Sequence, residues 1–149
     1  MLRWHRFKSS DAENVMGGSI AQTAEPKNLE VLQEFLNDCA IKFGLERRRA
    51  SLLSVALEEI FINICHYAYP HGPGPVDLSC HSEGDRLIVQ IMDEGQPFDV
   101  SAVSPPDLEA DLESRKIGGL GWFIVRKAVD DLHCYREGSH NIVRMTLRR

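Results

Sequence analysis

The clearest pattern in the sequence is a run of helical periodicity that extends from about residue 46 to residue 69. At about 100° per residue, most of its apolar side chains fall on one broad face. A second sector carries Glu59, Asn63 and His66 at the spacing i, i+4 and i+7, with apolar residues beside them. Polar groups in apolar surroundings cost free energy unless they are satisfied. We therefore expect either a polar network that fixes helix packing or a pocket lined by Glu59 and Asn63, with His66 in a core hydrogen bond.

Other apolar patterns predict two more helices and five strands. The helices are expected over 26–44, with Gly44 as the stop, and over 122–132. The strands are expected at 17–23, 76–82, 86–92, 133–137 and 141–148. Residues 1–16 show no clear period, so we expect an irregular N-terminal arm before a single domain over 17–149. Residues 98–116 are acidic and contain two prolines, which is typical of a long loop or lid.

Composition narrows the functional classes. The chain has 149 residues, a net charge of −5 and 43% hydrophobic residues, which favours one globular domain over a nucleic-acid-binding protein. Its four cysteines are scattered without a C-x-x-C pair and its histidines lack metal-ligand spacing, so we expect buried free thiols. The start lacks the apolar core of a signal peptide, and no apolar run is long enough to span a membrane. We expect a cytoplasmic protein with no direct nucleic-acid or membrane partner.

Two short motifs carry candidate chemistry. Asp93-Glu94-Gly95 follows a predicted strand, where a carboxylate can accept from an amino group and a glycine lets a flat ring approach the backbone. The same tripeptide is also an ordinary turn. Gly118-Gly119-Leu120-Gly121 precedes a predicted helix, where free backbone N–H groups favour an anion. A flexible hinge before a packed helix is the alternative there, and neither a Walker A nor a Rossmann glycine pattern fits.

The order of these motifs resembles the GHKL ATP-binding superfamily. A helix with Glu59 and Asn63 comes first, then His66-Tyr67-Ala68-Tyr69, Asp93-x-Gly95-x-Pro97-Phe98-Asp99, the lid and the glycine-rich segment. Within that superfamily the pattern is similar to the small bacterial anti-sigma factor serine kinases, over roughly residues 17–149. The resemblance implies an α/β two-layer sandwich of the Bergerat type, with a mixed, mostly antiparallel sheet and helices on one face.

The resemblance also implies roles for single residues, with ATP and Mg²⁺ as cofactors. Asn63 would coordinate Mg²⁺, and Glu59 would be the general base that takes the proton of the attacking hydroxyl. Asp93 would accept from the adenine amino group, with Gly95 and Pro97 beneath the ring. The residues expected to bind the phosphates through the backbone are Gly118, Gly119, Leu120 and Gly121. Arg115 and Lys116, at the end of the lid, would bind them through the side chain, and a solvated surface position is the alternative for these two.

The implied function is that of an ATP-dependent protein serine kinase in a partner-switching system. Such a protein binds a sigma factor and phosphorylates a small antagonist protein, and homodimerisation is left open. The alternative is a non-catalytic, nucleotide-gated protein-binding module of the same fold. The presence of Glu59 favours the enzyme, because a pure binding module needs only Asn63, Asp93 and the glycines.

Overall fold

The computed structural model describes residues 3–7, 15–98 and 119–149. The elements in chain order are β1 (Arg3–Phe7), β2 (Val15–Thr23), a 3-10 turn (Pro26–Asn28), α1 (Leu29–Phe43), α2 (Arg47–Tyr67), β3 (Pro75–Glu83), β4 (Arg86–Asp93), α3 (Gly119–Ala128), β5 (Asp131–Glu137) and β6 (His140–Arg148). None of the described helices is long and apolar enough to cross a membrane. All four cysteines have free thiols.

The strands form one six-stranded sheet in the order β1-β2-β3-β4-β6-β5. Every described pairing is antiparallel, so the predicted predominance of antiparallel pairs is confirmed. Inward-facing residues of neighbouring strands lie opposite one another, as Val89 does with Cys80 and Met145. These side chains pack with the apolar faces of α1, α2 and α3 in a single core. The result is the predicted two-layer α/β sandwich, with the described helices on one face of the sheet.

The two long helices form where the apolar periodicity predicts them. Leu32, Leu36 and Phe43 of α1 are buried, and the helix ends at Gly44, whose φ of 81° is left-handed and suits glycine. In α2, Leu53, Leu57 and Phe61 have no exposed surface. Burying one such side chain is worth about 1.5–3 kcal/mol, so this face fixes the helix against the sheet.

Several element boundaries differ from the prediction, and one strand was not predicted. The short third helix was expected over 122–132, but α3 starts at Gly119 and ends at Ala128. Leu132 instead lies in β5, opposite Met145. Residues 3–7, expected to be irregular, form β1 and pair with β2, which begins at Val15. The division into an arm and a domain stays a prediction, and the lid lies outside the described residues apart from Phe98.

Candidate functional site

A pocket opens where the C-terminal part of α2 meets the ends of β4 and β6. Its polar walls come from Asn63, Asp93, Gln96 and Asn141, and its apolar walls include Ile64, Pro97, Trp122 and Val143. The rings of Phe98 and Trp122 stack across one side, with centroids 6.0 Å apart and an interplanar angle of 21°. An apolar cleft with a few convergent polar groups is the usual form of a small-molecule site.

Asp93 is the buried carboxylate of this pocket, with 6% of its surface exposed. Its Oδ1 atom accepts from the backbone N–H of Gly95 at 2.8 Å and from the side-chain amide of Asn141 at 2.9 Å. Within the described part of the chain, no donor contacts the second oxygen, Oδ2. Two bonds therefore orient the carboxylate, while one oxygen remains free to accept from a ligand.

The loop after β4 is attached to the end of α2 by Gln96. Its backbone N–H donates to the carbonyl of Ala68 at 2.9 Å, and its side-chain amide donates to the carbonyl of Tyr67 at 2.5 Å. The last carbonyls of a helix have no partner within the helix, so Gln96 satisfies two of them. This attachment fixes Asp93 and Asn63 on the walls of one pocket.

Gly95 allows that close approach. A Cβ atom at this position would lie 2.5 Å from both the Cβ and the carbonyl oxygen of Ala68. Real Cβ atoms do not come so close, and the main chain of Ala68 cannot move aside without breaking its bond to Gln96. Packing against Ala68 therefore requires a glycine at this position of the Asp-x-Gly motif, whether or not a ligand also approaches the backbone there.

Tyr69 holds the same loop from the other side. Its hydroxyl accepts from the backbone N–H of Glu94 at 2.7 Å and donates to the carbonyl of Pro75 at 2.5 Å. Burial of the ring is the main reason that the pKa of this phenol lies above its usual value, so the hydroxyl remains a donor at neutral pH. A Cβ atom on Gly74 would come within 2.2 Å of the Tyr69 ring, so Gly74 provides the space for it.

Glu59 lies one helical turn before Asn63 on α2 and faces the start of α3. A Cβ atom on Gly121 would be 2.4 Å from the Glu59 Oε2 atom, which places the carboxylate against this glycine. Both Glu59 and Asn63 are half-buried, and neither has a hydrogen-bond or ion-pair partner in the described part of the chain. No described contact therefore supports the alternative of a polar network that fixes helix packing.

The glycine-rich segment is only partly described. Gly119 and Leu120 form the first turn of α3 together with Gly121, and N–H groups in the first turn of a helix have no partner within it. The predicted anion site therefore coincides with a helix N-terminus, where the helix dipole also favours negative charge. Gly118, Arg115 and Lys116 lie outside the described residues, and their predicted roles stay predictions.

Sequence reasoning missed the residues that support the pocket from β5 and β6. Asn141 is 8% exposed; it donates to Asp93 and to the carbonyl of Gln96, and its own oxygen accepts from Arg136 at 2.9 Å. Arg136 also donates to the carbonyl of Gly95 at 3.1 Å. The register that places Asp93 opposite Asn141 could have revealed this partner, once β4 was known to pair with β6.

The expectation for His66 is wrong. Its side chain is exposed and meets the ring of Tyr67 edge-on, with centroids 6.0 Å apart, so it makes no core hydrogen bond. The helical wheel placed it beside Asn63, but at the end of α2 His66 and Tyr67 are exposed, while Ile64 in the same turn is buried.

The fold agrees with comparisons to known proteins. Residues 22–147 match the family described as Histidine kinase-like ATPase domain, and the chain belongs to this family. The match confirms the superfamily that the motif order predicts.

Among curated proteins, the chain is similar to several serine-protein kinases named RsbW. The protein from Listeria innocua is 26% identical over 125 residues, which cover 80% of each chain. The one from Halalkalibacterium halodurans is 32% identical over 98 residues, or 63% of this chain and 59% of the relative. These relatives agree with the serine-kinase branch predicted from the sequence. The solved structure of the Acinetobacter baumannii histidine kinase AdeS covers 87% of this chain and 67% of its own, with a TM-score of 0.51 and 14% identity, and shares the fold.

Proposed function

We propose that this chain is an ATP-dependent protein serine kinase and anti-sigma factor of a partner-switching system. It acts in the cytoplasm, binds a sigma factor and phosphorylates a small antagonist protein. The observation that carries the proposal is the arrangement of Asp93, Asn63 and Glu59. Two of them line one pocket, and the third lies one helical turn along α2, beside the helix start that suits phosphates.

The adenine end of the pocket fits its proposed ligand. The Oδ2 atom of Asp93, which has no donor among the described residues, is an acceptor for an exocyclic amino group. Ile64, Trp122 and Val143 supply the apolar surface that a flat ring buries. Guanine presents a carbonyl where adenine presents its amino group, so two acceptors would face each other.

The phosphate end lies between α2 and α3. Asn63 would hold Mg²⁺ through its side-chain oxygen, a ligand type that suits a hard cation which keeps several of its waters. The first N–H groups of α3 would bind phosphate oxygens, because they have no helical partners. Mg-ATP supplies the phosphoryl group and the charge neutralisation that its transfer requires.

Glu59 is the proposed general base. It projects from the same rigid helix as Asn63, and Gly121 leaves room for its carboxylate at the start of α3. A serine hydroxyl of the antagonist, placed between this carboxylate and the phosphates, would give its proton to Glu59 as its oxygen bonds to the γ-phosphorus, and ADP would leave with the electron pair of the broken P–O bond. Such proton transfer contributes typically about 10²–10⁴-fold to a rate.

The second candidate is the nucleotide-gated binding module without catalysis. It uses the same pocket but has no need for a carboxylate at position 59. In the structure that carboxylate is half-buried without a described partner, beside the proposed phosphate site. A half-buried carboxylate without a hydrogen-bond or ion-pair partner among the described residues, next to that site, supports a role in transfer.

The test compares two substitutions on one helix. Glu59→Gln keeps the shape and removes the basicity, so nucleotide affinity should stay within about a few-fold while transfer to the antagonist serine falls by about 10²–10⁴-fold. Asn63→Ala should weaken Mg-ATP binding and thereby lose transfer as well. The transfer rate of each variant is measured with labelled phosphate and antagonists copurified from the native host. Equal transfer by wild type and Glu59→Gln would remove Glu59 from the mechanism, and nucleotide binding by wild type without transfer would favour the binding module.

A further inference from the structure

Three neighbouring strands place a row of polar side chains beside the pocket. Arg136 of β5 lies opposite Asn141 of β6, and Asn141 lies opposite Asp93 of β4. Opposite residues of antiparallel strands project from the same face of the sheet, so these side chains can meet. Arg136 donates to Asn141 at 2.9 Å, and Asn141 donates to Asp93 at 2.9 Å. The row ends in the pocket, because Asp93 and Asn141 both line it.

The amide of Asn141 has one favourable orientation. Its nitrogen donates to the Asp93 carboxylate and to the carbonyl of Gln96, both of which accept. Its oxygen accepts from Arg136, whose guanidinium can only donate. The same nitrogen of Arg136 also donates to the carbonyl of Gly95 at 3.1 Å. Arg136 therefore fixes the oxygen end of the amide and attaches it to the loop that follows Asp93.

The Asn141 amide completes the hydrogen bonding of one oxygen of Asp93. A carboxylate oxygen offers about two acceptor sites. At Oδ1 the backbone N–H of Gly95 occupies one of them at 2.8 Å, and the Asn141 amide occupies the other at 2.9 Å. Oδ2 receives no donor from the described residues. A ligand therefore meets a single available oxygen of this carboxylate.

The number of available oxygens decides which purine fits. Adenine has one donor on its Watson–Crick edge, the exocyclic amino group, and needs one acceptor. Guanine in the same position would turn its carbonyl towards Oδ2, which is unfavourable. Guanine shifted along this edge presents two adjacent donors, N1–H and the N2 amino group, and these match the two oxygens of an open carboxylate. The bond from Asn141 to Oδ1 closes that second position.

We propose that Asn141 is a specificity-determining residue, which excludes guanine nucleotides by occupying the Oδ1 atom of Asp93. Arg136 is the positioning residue that holds the Asn141 amide in place. This inference rests on the proposed nucleotide site. An aspartate with both oxygens open can accept from either purine, so Asp93 alone does not provide the full discrimination. Specific sites commonly combine attraction for one ligand with rejection of its competitor.

The experiment compares calorimetric titrations with Mg-ADP, Mg-GDP and Mg-IDP for wild type and Asn141→Ala. Removing the amide opens Oδ1 to the pocket, which Asn141 itself lines. Binding of Mg-ADP should weaken about tenfold while binding of Mg-GDP stays equal or tightens, so the preference for ADP should fall by about tenfold or more. Inosine keeps the carbonyl and N1–H of guanine but lacks the N2 amino group. Mg-IDP should therefore gain less than Mg-GDP.

Val143→Ala is the matched control for a loosened pocket. Val143 lies on the same strand and lines the same pocket, but its side chain has no polar group. The substitution removes apolar contact that any purine makes, so all three nucleotides should bind a few-fold more weakly. The preference for ADP should stay within about twofold of wild type.

Two substitutions test the positioning role of Arg136. Arg136→Met removes both hydrogen bonds, so the Asn141 amide is held less firmly and the preference for ADP should fall a few-fold. Arg136→Lys should keep the preference within about twofold of wild type, because an ammonium group also has donors for two oxygens. A merely structural role would weaken all three nucleotides equally and leave their ratios unchanged. Circular dichroism checks folding, and the Arg136 variants carry the test if Asn141→Ala does not fold.

The outcomes separate this inference from the proposed nucleotide site. If wild type prefers Mg-ADP and Asn141→Ala keeps the same preference, the exclusion by Asn141 is wrong and the nucleotide site stands. Equal gains of Mg-GDP and Mg-IDP in Asn141→Ala would contradict the two-donor position of guanine. An unchanged preference in Arg136→Met would remove Arg136 from the selection. If wild type binds none of the nucleotides at millimolar concentration, the proposed site itself is wrong, and the inference with it.

Discussion

Replacing Asn141 with alanine should both destabilise the fold and loosen the proposed nucleotide pocket. The Asn141 side chain makes three hydrogen bonds, to the Asp93 carboxylate, to the carbonyl of Gln96 and from Arg136. Two of the three partners are charged groups, and each such bond is worth about 1.5–3 kcal/mol, against about 1 kcal/mol for the neutral one. Because the pocket is open to solvent, water replaces part of this loss, and we expect about 2–4 kcal/mol in the free energy of unfolding. For a domain of this size that corresponds to about 5–15 °C in Tm.

Chemical unfolding followed by circular dichroism measures the loss, and calorimetric titration with Mg-ADP measures the effect on the site. Without Asn141 the Asp93 carboxylate keeps only the Gly95 N–H as a described donor, so we expect affinity to fall about tenfold. Ser139→Ala is the control, because Ser139 lies exposed in the adjoining turn and should change stability by less than about 0.5 kcal/mol. If Asn141→Ala unfolds like the control and binds Mg-ADP like wild type, the network does not hold the pocket.

Three further predictions test other contacts. Gly121→Ala should push the Glu59 carboxylate aside, because the new Cβ would lie 2.4 Å from Oε2. Phosphate transfer should fall about tenfold or more, while stability should not fall because alanine favours the helix. Unchanged phosphate transfer would refute the contact. Burial raises the pKa of the Cys134 thiol, which lines the pocket, to about 11. The rate of its alkylation, followed by mass spectrometry, should rise about tenfold per pH unit from pH 7 to 9 and should be lower with nucleotide bound. Fast labelling at pH 7 would contradict the burial. The pKa of Asp130 lies below its usual 3.8, because the Arg148 N–H and then Arg49 stabilise the carboxylate. Asp130→Asn should therefore cost up to about 1 kcal/mol at pH 7, and the difference from wild type should vanish as pH falls below 3.8 through the lower folded-state pKa; a constant difference down to pH 2 would refute it.

The long helices and the place of the Asp-x-Gly motif at the end of a strand could be predicted because their information is local. The apolar residues of α2 recur at helical spacing over 21 residues, and a β-strand has neither this spacing nor this length. Asp93 ends the apolar strand β4, and Gly95 follows two residues later in the same short motif. The sequence could not reveal that packing also requires a glycine at position 95, because this depends on Ala68, which only the fold brings into contact with it.

The features that the sequence did not reveal depend on distant pairing. Asn141 is 48 residues from Asp93, and only the pairing of β4 with β6 brings the two together. The start of α3 was placed too late because glycine has a low helix propensity, although the structure includes Gly119 and Gly121 in the helix. β1 has only five residues without regular alternation, so pairing with β2, rather than local preference, defines it.

The most direct test of the nucleotide site is a calorimetric titration of the wild-type chain with Mg-ADP and, separately, with Mg-GDP. The Oδ2 atom of Asp93 should accept from the adenine amino group but should face the guanine carbonyl as a second acceptor. We therefore predict measurable binding of Mg-ADP and an affinity for Mg-GDP that is lower by about tenfold or more, with the preference lost in Asp93→Ala. Equal affinity for the two nucleotides would contradict the role of Asp93, and no binding of either at millimolar concentration would contradict the proposed nucleotide site itself.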